Sequence, residues 1–419
     1  MIRTKAICAG SAVLALLVAL VLSGCGSSDA SEGNTAGGRT HMTWFMWSGS
    51  DEEVMAWKVV SDMVTATHPD ITLTFQTTSW SDYWTKFPAQ VDRGNAPCIL
   101  GMQSMRNPQF GNRLRPLDSM LASNDVELSQ FDKSIVDGLK VNGTQVAVPY
   151  DFGPRIMFYN KTAFAKAGLA EPKPGWTMDE FLADAKKLTS GSQYGFAAYP
   201  YLDFVVPFTR SLNGALPVSD RGQLQLTDPR FRQALQWYAG LVQKEKVAPA
   251  VPPTSDLTWP FSQFVAGRAA MVVTGPWDLI NAKRLARFDI GIAPIPAGAN
   301  GSKSVTAGSG FGISANCKTP DKAMQAISVI TGPEAQQYLA EQGRAFPARK
   351  AQQEFWYRNA VPGAKKSMDA AVRSSVPYAT TKSWNKVNQL FTKYGVPATN
   401  GQVPVDQFLN TVQQQAGAR

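Results

Sequence analysis

Side chains able to make or break covalent bonds are scarce in this chain, whereas side chains able to grip a polar molecule are plentiful. Of the 419 residues only two are histidines, His41 and His68. His68 precedes Pro69 where a helix should end, and His41 lies in a polar stretch near the N-terminus, so neither is placed to serve a serine as general base. The four cysteines show no Cys-x-x-Cys spacing and no neighbouring histidine, which leaves zinc without a ligand set and points to no metal and no cofactor. The glycines of 308–312 lack the spacing of a phosphate-cradling loop and lead into a strand, not a helix. Asp151, Asp203 and Asp278 could supply the two carboxylates of a glycoside hydrolase, yet nothing in their spacing demands it. Binding chemistry is concentrated in residues 145–161, QVAVPYDFGPRIMFYNK. There a short β-like run meets Pro149, a turn-prone Asp151-Phe152-Gly153-Pro154 follows, and a second β run covers 155–159. A bend carrying polar and aromatic groups between two rigid units can hold a ligand.

The elements around that bend begin with a leader. Residues 1–22 combine Arg3 and Lys5 with an apolar run over 12–22 that is short for a membrane span, and small residues follow. This is the pattern of a secretory signal, with a retained transmembrane anchor as the alternative. Leu22-Ser23-Gly24-Cys25 resembles the bacterial lipobox, which implies that Cys25 is diacylated and becomes the mature N-terminus. Residues 26–38, GSSDASEGNTAGG, read as a flexible tether. The expected location is extracytoplasmic, anchored to the bacterial cell membrane by lipidated Cys25. The formal net charge is +9, but the basic residues are scattered, which favours solubility near a wall or membrane over nucleic acid. With Cys8 in the leader and Cys25 set aside, Cys98 and Cys317 remain as an even pair in an oxidising compartment, or as two separate buried thiols.

Roughly 380 residues follow the tether, enough for two or three domains. Residues 43–47 read as an aromatic strand, Ser50 with Glu53 as a capping box opening a helix to about Ala66, and 71–76 as a second strand. This β-α-β start implies an α/β lobe. A helix over 80–93 ends at Gly94, a buried strand covers 98–102, and a loop punctuated by Pro and Gly spans 106–118. Beyond the bend, Thr177 with Glu180 makes a second capping box before Phe181, Ala185 and Leu188. Strands are expected at 194–198, 269–274 and 289–293, and Asp228-Pro229 opens a helix whose face is Phe231, Leu235, Tyr238 and Val242. Residues 306–314 are glycine-rich and β-like, and Thr319-Pro320 opens another helix. The second half is therefore α/β as well.

Taken in order, these pieces resemble an extracellular solute-binding protein of the family that serves sugar ABC importers and includes the maltose-binding proteins. The resemblance runs over nearly the whole mature chain. It rests on the strand around Trp44 and Trp47, HPDITL from His68, GNAPC from Gly94, and VPYD with FYNKTAFAKAGL from Val148 to Leu169. WTMDEFLADAKKLT from Trp176, FVAGRAAM from Phe264, GPW from Gly275 and GSGFGIS from Gly308 complete it. It implies a two-lobed periplasmic-binding-protein fold of type II, each lobe a mixed sheet flanked by helices, joined by two or three crossings. The expected division is 1–24 signal peptide, 25–40 lipidated cysteine and tether, 41–150 with 309–345 as lobe 1, and 151–308 with 346–419 as lobe 2. Where the family usually has an Asp after the Pro of GNAP, this chain has Cys98. In that fold the strand beginning there lies beside the one ending at Cys317, so the resemblance implies a Cys98–Cys317 disulfide.

The implied function is a non-enzymatic, monomeric lipoprotein that closes two lobes on a di- or oligosaccharide and passes it to ABC permease subunits. A glycerophosphodiester or sugar phosphate is the alternative solute, and a secreted glycoside hydrolase or a passive structural lipoprotein the alternative class. The resemblance places ligand contacts on both lobes. Trp47, Ser48, Trp80, Tyr83, Gln103 and Arg106 come from the first and Asp151 and Arg155 from the crossing. Tyr201, Asp203, Trp277 and Asp278 come from the second lobe. Gly308 and Phe311 belong to the return crossing, and Arg344 and Phe346 to a third. Trp47, Trp80 and Tyr83 are equally suited to a core, Asp151 and Asp278 to capping turns or helices, and Arg106 to a solvated Arg-rich loop with Arg113 and Arg115.

Overall fold

The first long strand, Arg39–Trp47, is apolar along its second half, and its neighbours cover it on both edges. It pairs in parallel with Ile71–Thr78 along eight residues and with Ile99–Gln103 at Trp44 and Phe45. Parallel partners need a crossover, and the helix Asp51–Thr67 supplies it. This computed structural model describes residues 35–36, 38–377 and 379–417. The leader, the lipobox and Cys25 lie outside the described residues. The expected tether runs into structure earlier than its composition suggests, because Thr35–Ala36 pairs antiparallel with Arg39 and Thr40.

Two sheets carry the two lobes. The larger has seven strands, with Ser304–Ile313 at its heart, antiparallel to both Ile99–Gln103 and Val148–Pro154. The smaller has Ile156–Asn160 between Met271–Thr274 and Ile290–Ala293, all antiparallel. Residues 194–198, expected as a strand, reach this sheet only through isolated parallel bridges, Tyr194 to Ala269 and Ala197 to Val272. The second lobe thus keeps only a trace of the mixed sheet.

The stretch expected as strand, bend and strand has no bend. Asp151, Phe152, Gly153 and Pro154 continue the strand that begins at Val148, held by the ladder to Ser304–Ile313 from Val148↔Phe311 to Pro154↔Thr306. Pairing to a neighbouring strand outweighs the local turn preference of these residues. At Arg155 the chain changes sheets, so the crossing is an extended ribbon.

Around the larger sheet, Trp44, Trp57, Tyr150 and Phe311 pack edge-to-face or stacked, with ring centroids 4.7–5.7 Å apart. A second cluster gathers Phe181, Phe196, Phe208 and Tyr238. The helix Met178–Leu188 carries the expected capping box in full: Glu180 N–H donates to Thr177 Oγ1 and Thr177 N–H to Glu180 Oε2. The C-terminal segment is shared. Gln353–Asn359 packs on Pro333–Gln342, whereas Trp384–Thr399 and Val405–Gly417 pack on Pro229–Gln243 of the other lobe. A disulfide joins Cys98 and Cys317, where Cys98 carbonyl also accepts from Ser314 N–H at 2.9 Å.

Candidate functional site

Strand ends and helix starts converge between the two sheets on a cavity of about 500 Å³. Trp47 and Ser48 reach it from the end of the first strand, and Trp80 from the start of the helix Trp80–Asp92. Gln103 ends its strand there, and Asp151, Arg155, Gly308 and Arg344 line it from the crossings. Tyr201, Trp277 and Asp278 close it from the second lobe. The Trp277 turn is seated by two glycines. A Cβ on Gly153 would lie 2.5 Å from Pro276 Cγ, and one on Gly275 would meet the Trp277 ring at 2.2 Å. Only glycine at both positions lets the Gly-Pro-Trp turn press against the crossing strand.

The floor is a buried ionic network. Asp151 is 4% exposed and accepts from Ser309 N–H at 2.8 Å. Burial pushes its carboxyl up to about 7, against the pull of Arg344 and the Ser309 amide. Arg344 Nε lies 3.1 Å from Glu53 Oε2 as an ion pair without hydrogen-bond alignment. Glu53 also accepts from Gly49 N–H and, across the cleft, from Asn281 Nδ2 at 2.9 Å. Asp278 accepts from the Thr274 hydroxyl. It keeps part of its surface open to the cavity, but crowding by protein atoms pushes it up to about 6. Arg155 donates to Asp203 at 3.2 Å and stands between two rings, its Cζ 5.0 Å from Phe204 and 4.8 Å from Trp277. These polar and ionisable groups are held in place by one another, and most of them are buried, an arrangement suited to hydrogen-bonding a hydroxyl-rich molecule.

Five expected contacts lie outside this cavity. Tyr83 is fully buried behind Trp47 and donates its hydroxyl to Gly101 carbonyl at 2.7 Å, a core role. Phe311 is fully buried in the larger sheet's core, stacked on Tyr150, and does not line the cavity itself. Phe346 packs against Phe152, Trp356 and Tyr357. Asp203 has no exposed surface and acts through Arg155. Arg106 belongs to no solvated loop: it is 2% exposed, and its Cζ lies 4.7 and 4.8 Å from the Trp80 and Trp84 rings. It lines a second cavity of about 440 Å³.

Several lining residues escaped the sequence reading, among them Glu53, Tyr150, Phe204, Asn281 and Ser309. Glu53 was expected only to cap its own helix. Ser50 does accept from Glu53 N–H, but the Glu53 carboxylate reaches Gly49, Asn281 and Arg344 and leaves the box half made. A buried acid three residues after a cap carries no local sign of an arginine 291 positions away.

Residues 52–337 match the family model described as bacterial extracellular solute-binding protein. The chain belongs to that family. A binding protein of Brucella abortus is 27% identical over 248 residues, 57% of this chain, and the match spans 59% of that relative's length. Among solved structures, an ABC substrate-binding protein of Listeria monocytogenes in complex with cycloalternan superposes with TM-score 0.83 and 21% identity, over 90% of this chain and 98% of that one. A maltose-bound T. maritima protein superposes with TM-score 0.76 and 21% identity, over the same shares. These likenesses establish the two-lobed fold.

Proposed function

We propose that this protein captures a carbohydrate, a di- or oligosaccharide, by closing its lobes and delivers it to the permease of an ABC importer. The observation that carries the reading is the cavity itself: Trp47 and Trp80 from one lobe and Trp277 from the other line it together with buried Asp151, Arg155 and Arg344. Aromatic faces suit sugar rings, and fixed charged groups suit their hydroxyls. Two structural neighbours hold cycloalternan and maltose, in keeping with this reading. A ligand that touches both lobes stabilises the closed arrangement, in which Asn281 already reaches Glu53 and Arg284 pairs with Glu52 at 2.8 Å.

In this reading the protein acts as a monomer without catalysis, with lobe 1 formed by 41–150 and 309–345 and lobe 2 by 151–308 and the last two helices, while the intervening segment from Phe346 through Ala371 packs with lobe 1. Its mature form begins at diacylated Cys25 on the outer face of the cell membrane. A thermal-shift screen of di- and oligosaccharides tests the ligand: saccharides should raise the melting temperature with no product formed. Turnover of a glycoside would overturn the non-enzymatic reading. Cys25→Ala should release the protein from the membrane fraction, and retention would overturn the anchor.

A further inference from the structure

Three arginines are buried along the cleft, and they are not alike. Arg344 has Glu53 and Arg155 has Asp203. Among the described residues no carboxylate pairs with Arg106. Its Nη1 donates to Gln103 Oε1 and its Nη2 to the Tyr201 hydroxyl, both neutral, and its buried Nε has no partner. The Trp80 and Trp84 faces offset part of the cost of burying this charge, but a desolvated guanidinium without a counter-ion remains expensive. Arg349 is also buried without an ion pair among the described residues, but Glu127 lies near enough to favour its charge, its Nε donates to Thr331 carbonyl at 2.7 Å, and it lines neither cavity.

Arg106 sits where a ligand could complete it. The cavity it lines shares Trp80, Tyr201 and Leu257 with the first cavity, so a solute extending past Trp80 would set its next unit against Arg106. The far wall comes from the helix Trp384–Thr399. Asn388 lines it while its Oδ1 is buried without a partner among the described residues, Gln389 is exposed, and Lys393 adds a second positive charge at the rim. The single carboxylate at this cavity, Asp256, is exposed and already accepts from Thr258 N–H and hydroxyl.

We propose that this second cavity is a subsite for an anionic substituent, a carboxylate, sulfate or phosphate carried by the solute, and that Arg106 is its counter-ion. The protein would then select acidic over neutral saccharides. This deepens the carbohydrate reading and rests on it for the part of the solute in the first cavity.

The test is calorimetric titration of the full-length protein with matched pairs: digalacturonate against its methyl ester, and neutral di- and trisaccharides against their sulfated and phosphorylated forms. One charge-assisted contact should favour the acidic member by roughly tenfold to a hundredfold. Arg106→Gln should erase that preference, read as the ratio of acidic to neutral affinity, and Arg106→Lys should keep part of it. Asn388→Asp, which places a carboxylate in the same cavity, should also abolish it and raise the melting temperature of the ligand-free protein. Equal affinity for both members, or a preference that survives Arg106→Gln, overturns the subsite while the carbohydrate reading stands. If no saccharide binds but a glycerophosphate ester does, and Arg106→Gln abolishes that binding, the carbohydrate reading falls and the anion subsite survives. If the ester's binding also survives Arg106→Gln, both fall.

Discussion

Trp80 and Tyr83 lie three residues apart on one helix, each read from sequence as an aromatic contact to the solute, and the fold sends them to opposite tasks. Trp80 lines both cavities and supports the Arg106 guanidinium, whereas Tyr83 has no exposed surface and ties its hydroxyl to the carbonyl of Gly101. Trp84, one position beyond Tyr83 and so about 100° further round the helix, returns to the Arg106 side. Trp80, Tyr83 and Trp84 all fall within about 100° of one side of the helix, so neither residue type nor helical face separates wall from core. What separates them is their place along the helix: Trp80, at its first position, reaches the cavities, whereas Tyr83, one turn on, packs on Phe45 and Trp47.

Tyr83→Ala should cost about 3–5 kcal/mol in chemical denaturation, with the solute affinity of the remaining folded protein unchanged. Loss of affinity in the milder Tyr83→Phe would show that the core side also serves binding.

Asp151 sharpens the contrast because it belongs to the wall yet is buried as deeply as the core. Its carboxyl stands at about 7 in the fold against 3.8 when unfolded. The unfolded chain therefore loses this proton first, and the group's contribution to stability is fully present below about pH 4 and lost as pH rises through 7. Asp278, at about 6, acts in the same sense. Asp151 faces Arg344, with Glu53 and the Tyr150 hydroxyl beside it. The difference in unfolding free energy between Asp151→Asn and the parent should change by on the order of 3 kcal/mol between pH 4 and pH 8, and a flat difference would remove the buried-acid account.

Remote from the cavity, the disulfide tests whether core stability alone alters binding. Replacing Cys98 and Cys317 by serine should cost about 2–4 kcal/mol by denaturant titration without changing affinity. On the wall side, Trp80→Ala should weaken saccharide binding by about 2 kcal/mol, roughly thirtyfold in Kd by calorimetry, with less loss of stability than Tyr83→Ala. The smallest effect is expected at Glu180→Ala, which removes half a capping box far from the cavity: about 1 kcal/mol in a thermal melt, with binding untouched.

Much of the architecture was legible in local signals. The capping box at Thr177 and Glu180, the Asp228-Pro229 helix start and the parallel β-α-β opening all appear where their spacing put them. Each depends on contacts within a few residues or on a hydrophobic period, and both are written along the chain. The helix Leu202–Asn213 was not legible, since Pro207 lies inside it and no cap precedes it. Residues 151–154 misled for the converse reason: their turn propensity is real, but ladder partners more than 150 residues away hold them extended.

By itself the sequence determined the α/β class of the chain, the order of most of its elements and the scarcity of catalytic groups, because composition and short-range spacing decide these, whereas the pairing of Cys98 with Cys317 followed only from the family resemblance. Tertiary structure alone decided which aromatics line the cavities, that Arg106 is buried with no carboxylate paired to it among the described residues where Arg155 and Arg344 have one, and that Glu53 leaves its cap to join Arg344 and Asn281. Those outcomes depend on which surfaces meet when two sheets joined by a ribbon are brought together. Burial and charge pairing are properties of that meeting, and no window of sequence contains both partners.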